Sequence, residues 1–150
     1  PVRIAIFPRT FMAETPQAAH RPRPLSPFLT VYRWTPTMAT SITHRVTGIG
    51  LAGGMAAIAC WLMAAASGPE MFNGFTGLAS SVLGQIILFG FAWALAFHLL
   101  NGIRHLFWDV GYGFPPKVAN QWSVAIVTLS LLIPAALFAL AYAGFGGFYQ

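Results

Sequence analysis

Charge is what this sequence has least of. Asp, Glu, Lys and Arg together make up 7% of its 150 residues, against about 25% in soluble domains. A chain so poor in charge cannot cover itself with a solvated surface, which excludes a water-soluble globular fold. Acids are scarcest, three against eight Lys and Arg, so the net charge is +5. In a soluble protein that excess would suggest nucleic acid. Here the basic residues cluster at the ends of apolar segments, where the positive-inside bias of membrane proteins accounts for them without a nucleic-acid partner. Cysteine is almost missing. Cys60, alone, excludes a disulfide within the chain, and its apolar setting reads as an inert thiol packed against lipid or a helix.

What the chain does have is hydrophobic side chains, 57% of the total. That is room for about three helical spans of roughly 20 residues each. The expected fold is all-α: an integral membrane bundle of three transmembrane helices behind an irregular N-terminal tail, with residues 1–33 as the tail and 34–150 as the anchor domain. In the tail, Pro16, Pro22, Pro24 and Pro27 forbid a continuous helix, and Arg21, Arg23 and Arg33 keep it out of the hydrocarbon. Residues 1–11 read as disordered, the alternatives being a weak targeting sequence or an extension upstream of Met12.

The spans are expected at about 36–66, 80–108 and 121–144. Thr35 supplies an N-cap for the first and Pro36 its first helical position. At ~1.5 Å per residue this helix exceeds a ~30 Å hydrocarbon core, so its first two turns belong to the interface. Residues 67–79 read as a loop. Gly111, Gly113, Pro115 and Pro116 end the second span, and Pro134 kinks the third. Arg21, Arg23 and Arg33 before the first span, with Arg104 and Lys117 around the second loop, assign that end to the cytoplasmic side, or to the matrix side in a mitochondrion.

Two polar clusters interrupt the apolar pattern, and the topology brings both to that end. In the first, Trp34, Met38, Ser41 and Arg45 follow helical spacing and define one stripe. An apolar ring with two carbonyl oxygens would suit it, Trp and Met against the ring, Ser and Arg as donors. An interfacial Trp anchor with a snorkelling Arg is the plainer reading. In the second, His98, Gly102, His105 and Asp109 recur on one face of the second span. Ionisable groups are costly at such depth and signal function by default. Gly102 clears room for a large flat group or another helix. A haem iron with two imidazole ligands takes one His from each of two facing helices; His98 is the best-placed candidate and His105 the next, with the partner either His44 or a histidine of another subunit. The competing reading is that His98 bonds a carbonyl on a neighbouring helix. No Cys-x-x-Cys-His occurs, which excludes covalent c-type attachment.

Three stretches together resemble the cytochrome b subunit of succinate dehydrogenase, a membrane anchor of respiratory complex II. They are Arg23-Pro24-Leu25-Ser26-Pro27, Ser41-Ile42-Thr43-His44-Arg45-Val46-Thr47-Gly48, and His98 through Gly111. Their order and spacing match over nearly the whole chain after residue 20. Phe28 departs from the pattern, since many relatives carry a His there.

The resemblance implies that His98 is an axial ligand of haem b, the other ligand coming from a second membrane subunit. It also implies that Ser41 and Arg45 bind ubiquinone, lined by Trp34, Met38 and Ile42, and that His44, Arg45 and His105 lie at the haem propionates or just behind them. An iron–sulfur subunit and a flavoprotein subunit would deliver electrons from succinate, which this chain itself would not bind. The location implied is a bacterial inner membrane, or the mitochondrial one. A haem-free structural anchor and a quinol:fumarate reductase anchor are the alternatives within the family. A small transporter subunit is the alternative outside it, disfavoured by the lack of an inverted repeat.

Overall fold

A computed structural model describes residues 24, 26 and 28–145. Among the described residues four helices follow one another: α1 (Pro36–Ser67), α2 (Pro69–Ser80), α3 (Val82–Asp109) and α4 (Pro116–Phe145). No strand occurs among the described residues. Three helices are long and apolar enough to cross a membrane: Pro36–Ser67, Val82–Asp109 and Pro116–Gly144. The fold is therefore the all-α three-span bundle expected from hydropathy.

The chain divides into two units, residues Pro1–Arg33 and Trp34–Gln150. In the first, the N–H groups of Val31 and Tyr32 donate to the Phe28 carbonyl at 3.1 and 3.0 Å, forming a turn. The expected tail lies mostly outside the described residues, as do Gly146 and Gly147. The second unit contains all four helices.

The stretch expected as a loop at 67–79 is instead the short helix α2. Gly68, at φ +113°, ends α1 in a conformation that a side chain would strain. Pro69 then stands at the first position of α2, where its missing N–H costs nothing, and Glu70 meets the positive end of the helix dipole. The same Gly-Pro pair that suggests a break is a stop signal followed at once by a start signal. Phe72 of α2 packs toward Trp61 of α1, ring centroids 6.5 Å apart. Between α1, α2 and α3 lies an apolar cleft of about 350 Å³, lined by residues that include Ala57, Trp61, Phe75 and Phe91. Helix α3 is capped by Ser81, whose Oγ accepts from the Gly84 N–H at 3.1 Å. Helix α4 begins at Pro116, five residues ahead of the expected span, because that proline also occupies a helix-start position.

Helices α3 and α4 run antiparallel along a regular seam. Tyr142 hydrogen-bonds Gln85, Phe138 meets Phe89 edge-on at 5.3 Å, and Ser123 bonds Arg104. Each step of four along one helix answers a step of four back along the other, as two facing helical stripes require. The buried α4 residues Ala119, Ser123, Ile126, Ser130 and Pro134 trace that stripe. Most are small, which lets the backbones approach. Gly54 does the same for α1 on α3: a Cβ there would overlap the Phe91 ring.

The interior is polar where a soluble protein's would be apolar. Among the described residues Thr40, Thr47, Asn101, Arg104, Ser123 and Ser130 are buried, alongside the apolar Ala64, Ala96, Phe97, Ala119, Ile126 and Pro134. Lipid is as apolar as leucine, so burying leucine gains little in a membrane; polar contacts and close packing hold the helices together instead.

Candidate functional site

His98 sits on the α3 face that meets α1. Its Nδ1 lies 3.2 Å from the His44 carbonyl oxygen and 3.3 Å from Thr47 Oγ1. Thr47 directs its own hydroxyl proton at the carbonyls of Thr43 and His44, at 2.9 and 3.0 Å, so it faces His98 as an acceptor. A carbonyl can only accept as well. Nδ1 must therefore carry the proton, and the lone pair of the neutral imidazole is on Nε2. This is how a metal-ligating histidine is usually prepared: one nitrogen donates to the protein, the other coordinates. The hydrogen bond to a neighbouring carbonyl and the ligand role, competing readings from sequence, use different nitrogens and are compatible.

Two glycines shape the surroundings. A Cβ on Gly48 would come within 3.1 Å of His98 Cε1, so the α1 backbone is bare where the imidazole lies against it. A Cβ on Gly102 would meet nothing within 4 Å, which leaves open space beside the His98 face. The His44 ring stacks on that of His98, centroids 3.9 Å apart and planes 14° from parallel. His105 lies 5.4 Å from His44, and Trp108 meets His105 edge-on at 5.0 Å. Nδ1 of His44 is buried without a hydrogen-bond partner. Three histidines predicted from sequence thus come together. Among the described residues no three metal-ligating side chains gather at one point, so a metal on His98 would take its other ligands from a macrocycle or another chain. An imidazole in the correct tautomer, a glycine-cleared face and a buried nitrogen awaiting a partner all fit a haem.

Helix α1 carries the other predicted residues on its outer side. Arg45 and Ile42 are exposed, Ser41 and Met38 half-buried. Trp34 stands one residue before the N-cap Thr35, outside the helix proper, and is exposed. Thr40 and Thr47 are the fully buried α1 residues of this region, with Thr37 and His44 on the same inward side. The Ser41–Arg45 face is therefore directed away from the chain's own bundle, and any pocket it forms is completed from outside.

Arg104 is the residue that sequence reasoning misjudged. Read there as a loop-flanking charge, it is 2% exposed in the middle of the bundle. Nη1 donates to Ser123 Oγ at 2.5 Å, Nη2 donates to Thr40 Oγ1 at 3.1 Å, and the guanidinium lies 4.5 Å from the centroid of the Trp108 ring. Thr37 extends the network by donating to Asn120 Oδ1 at 2.7 Å. The available signal was a run of polar side chains, Thr37, Thr40, His44 and Thr47, at helical spacing on one face of an apolar helix.

The family model for succinate dehydrogenase/fumarate reductase transmembrane subunits matches residues 19–141. The chain is 45% identical over 111 residues to the succinate dehydrogenase cytochrome b556 subunit of Paracoccus denitrificans, covering 74% of this chain and 85% of that one. It is 36% identical over 126 residues to the b556 subunit of Rickettsia prowazekii, covering 84% and 98%. With the mitochondrial succinate dehydrogenase cytochrome b560 subunit of Sus scrofa it shares 38% identity over 123 residues, covering 79% and 71%. With three membrane-length helices and a histidine cluster between the first and second of them, this chain belongs to the succinate dehydrogenase cytochrome b family, the membrane anchors of respiratory complex II.

Proposed function

We propose that this subunit anchors a succinate:ubiquinone oxidoreductase in the inner membrane, holds one side of haem b through His98 Nε2, and supplies Ser41 and Arg45 to the ubiquinone site. The observation that supports the haem reading is the hydrogen bond from His98 Nδ1 to the His44 carbonyl, which leaves the Nε2 lone pair available to a metal. The iron's other protein ligand would come from another membrane subunit. His44, with its partnerless Nδ1, and His105 would serve the propionates, together with Arg45. When bound, the haem would supply a one-electron redox centre.

Quinone reduction consumes two electrons and two protons. Ser41 would donate a hydrogen bond to one quinone carbonyl. The Arg45 guanidinium would stabilise the negative charge that builds on the ring oxygens before protonation, an effect enlarged by the low dielectric of the site. Met38 and Ile42 would pack against the ring and Trp34 would close its outer edge. The outward direction of this α1 face supports a pocket shared with the iron–sulfur subunit and the second anchor. The flavoprotein subunit would oxidise succinate and pass the electrons inward. The end holding the start of α1 and the loop before α4 would face the cytoplasm or matrix, since Arg33 precedes α1 in sequence, Arg104 and Lys117 flank the loop, and α2 carries no Lys or Arg.

A reduced-minus-oxidised spectrum of the intact complex tests the haem assignment. The expected result is a b-type band that His98→Ala abolishes; a band surviving that substitution overturns it. For the quinone assignment, Arg45→Ala is expected to impair quinone reduction while succinate oxidation by a soluble dye persists. Equal survival of both activities refutes it.

A further inference from the structure

We infer that Arg104 is a positioning residue for the quinone reaction, holding the inner segment of α1 so that Ser41 and Arg45 stand where the quinone needs them. The inference rests on the assignment of Ser41 and Arg45 above, and goes beyond it by naming what fixes them.

The inner part of α1 has little else to fix it. Of its 32 residues only Thr40, Thr47 and Ala64 are buried, and the two threonines lie on the side of the histidine cluster and Arg104. Apolar packing therefore does not decide how this segment is rotated or how far it slides along its axis; polar contacts do. Thr40 is the first of them. It is the neighbour of Ser41, and its hydroxyl lies within 3.3 Å of Ser123 Oγ and 3.1 Å of Arg104 Nη2. A change of rotation that broke these bonds would carry Ser41 and Arg45 with it, because all three ride on one rigid helix.

Arginine is the side chain suited to this. Its planar fork sends two donors along fixed, diverging directions, here to α1 and α4 from a root on α3, so that one residue sets the mutual placement of three spans. A lysine ammonium at the same place reaches one acceptor well and imposes no plane. The contact with Trp108 holds the fork from its other side. No carboxylate among the described residues pairs with Arg104, and its Nε is buried without a partner. A charge kept at that cost inside a membrane bundle marks function by default. One of its two bonds reaches the helix that carries the quinone residues, and the other ties that helix to α4.

The test uses the assembled complex in membranes, with succinate as donor and either a short-chain ubiquinone or a soluble dye as acceptor. Thr40→Val removes the α1 end of the clamp with little change of shape. It is expected to raise KM for the quinone about threefold or more and leave dye reduction unchanged. Arg104→Met should raise it on the order of tenfold, because a displacement of even part of an ångström is felt strongly at a reacting site. Arg104→Lys, which keeps the charge and loses the fork, should stay close to Arg104→Met.

Full rescue by lysine would overturn the positioning role in favour of charge alone. A quinone KM unchanged in Thr40→Val would overturn it too, and that variant decides the matter if Arg104→Met does not assemble. Arg45→Ala in the same assay separates the two layers. If it leaves quinone reduction intact, the quinone assignment itself falls; if it impairs reduction while Thr40→Val does not, only the role of Arg104 falls.

Discussion

Adding one methyl group at Gly48 should separate the stability of this subunit from its hold on haem. In the middle of an exposed helix, Gly→Ala favours folding by about 1 kcal/mol. At Gly48 the new Cβ would stand 3.1 Å from His98 Cε1 and 3.6 Å from Nδ1, closer than a carbon comfortably sits, so the ring must yield by a few tenths of an ångström. The bond from Nδ1 to the His44 carbonyl is already 3.2 Å. A shift of that size away from α1 takes it to the edge of hydrogen-bonding distance, about 3.5 Å. Loss of such a supporting bond to a metal ligand typically costs 10–100-fold in affinity, about 1.4–2.8 kcal/mol. Gly48→Ala should therefore give a subunit that assembles normally and releases haem more readily, and Gly48→Val should lose most of it. The assay is the b-type absorption of the purified complex, followed over time against a haem-scavenging globin. Thr47→Val is the companion variant, removing the second acceptor while keeping the shape. If Gly48→Val retains haem as tightly as the wild type, the argument that α1 tunes His98 through that contact is refuted.

Other consequences of the packing are open to measurement. Ser123→Ala leaves Arg104 Nη1 without its 2.5 Å acceptor and should lower resistance to thermal dissociation by about 1–3 kcal/mol; an unchanged midpoint would mean that water replaces the hydroxyl. Gly54→Leu should force α1 away from α3 because of the overlap with Phe91, reducing assembled complex on native gels, and Phe91→Ala should partly restore it in the double variant. Gly68→Ala, at φ +113°, should cost on the order of 1–3 kcal/mol through backbone strain and loosen the α1–α2 junction, read as faster proteolysis there.

Hydropathy made the three spans legible because a membrane-crossing helix needs a long apolar run and nothing else in a 150-residue chain resembles one. The histidines that cluster between α1 and α3 stood out for the opposite reason: polar groups in such runs are rare. Helix α2 was not, because its twelve residues mix Gly, Asn and Pro with Phe and Met, and a short helix at the rim of a bundle has no long period to display. Arg104 was misread because five residues separate it from the end of α3, and a side chain that long can equally snorkel outward or fold inward. Only the hydroxyls waiting on α1 and α4 decide the direction, and these lie 64 and 19 residues away in the chain.

The seam between α3 and α4 also bears on how this protein can change over time. Its contacts advance in lockstep from Gln85 with Tyr142 to Arg104 with Ser123. They do not tolerate a change of count. Inserting or deleting one residue within either helix turns everything beyond it by about 100°, pointing the polar stripe at lipid and, for a shift in α4, Trp122 or Val124 at Arg104 in place of Ser123. The connection at residues 110–115 carries no such register. Length variation between homologous chains is therefore expected to collect in that connection and to avoid the helices on either side, however freely their lipid-facing letters drift.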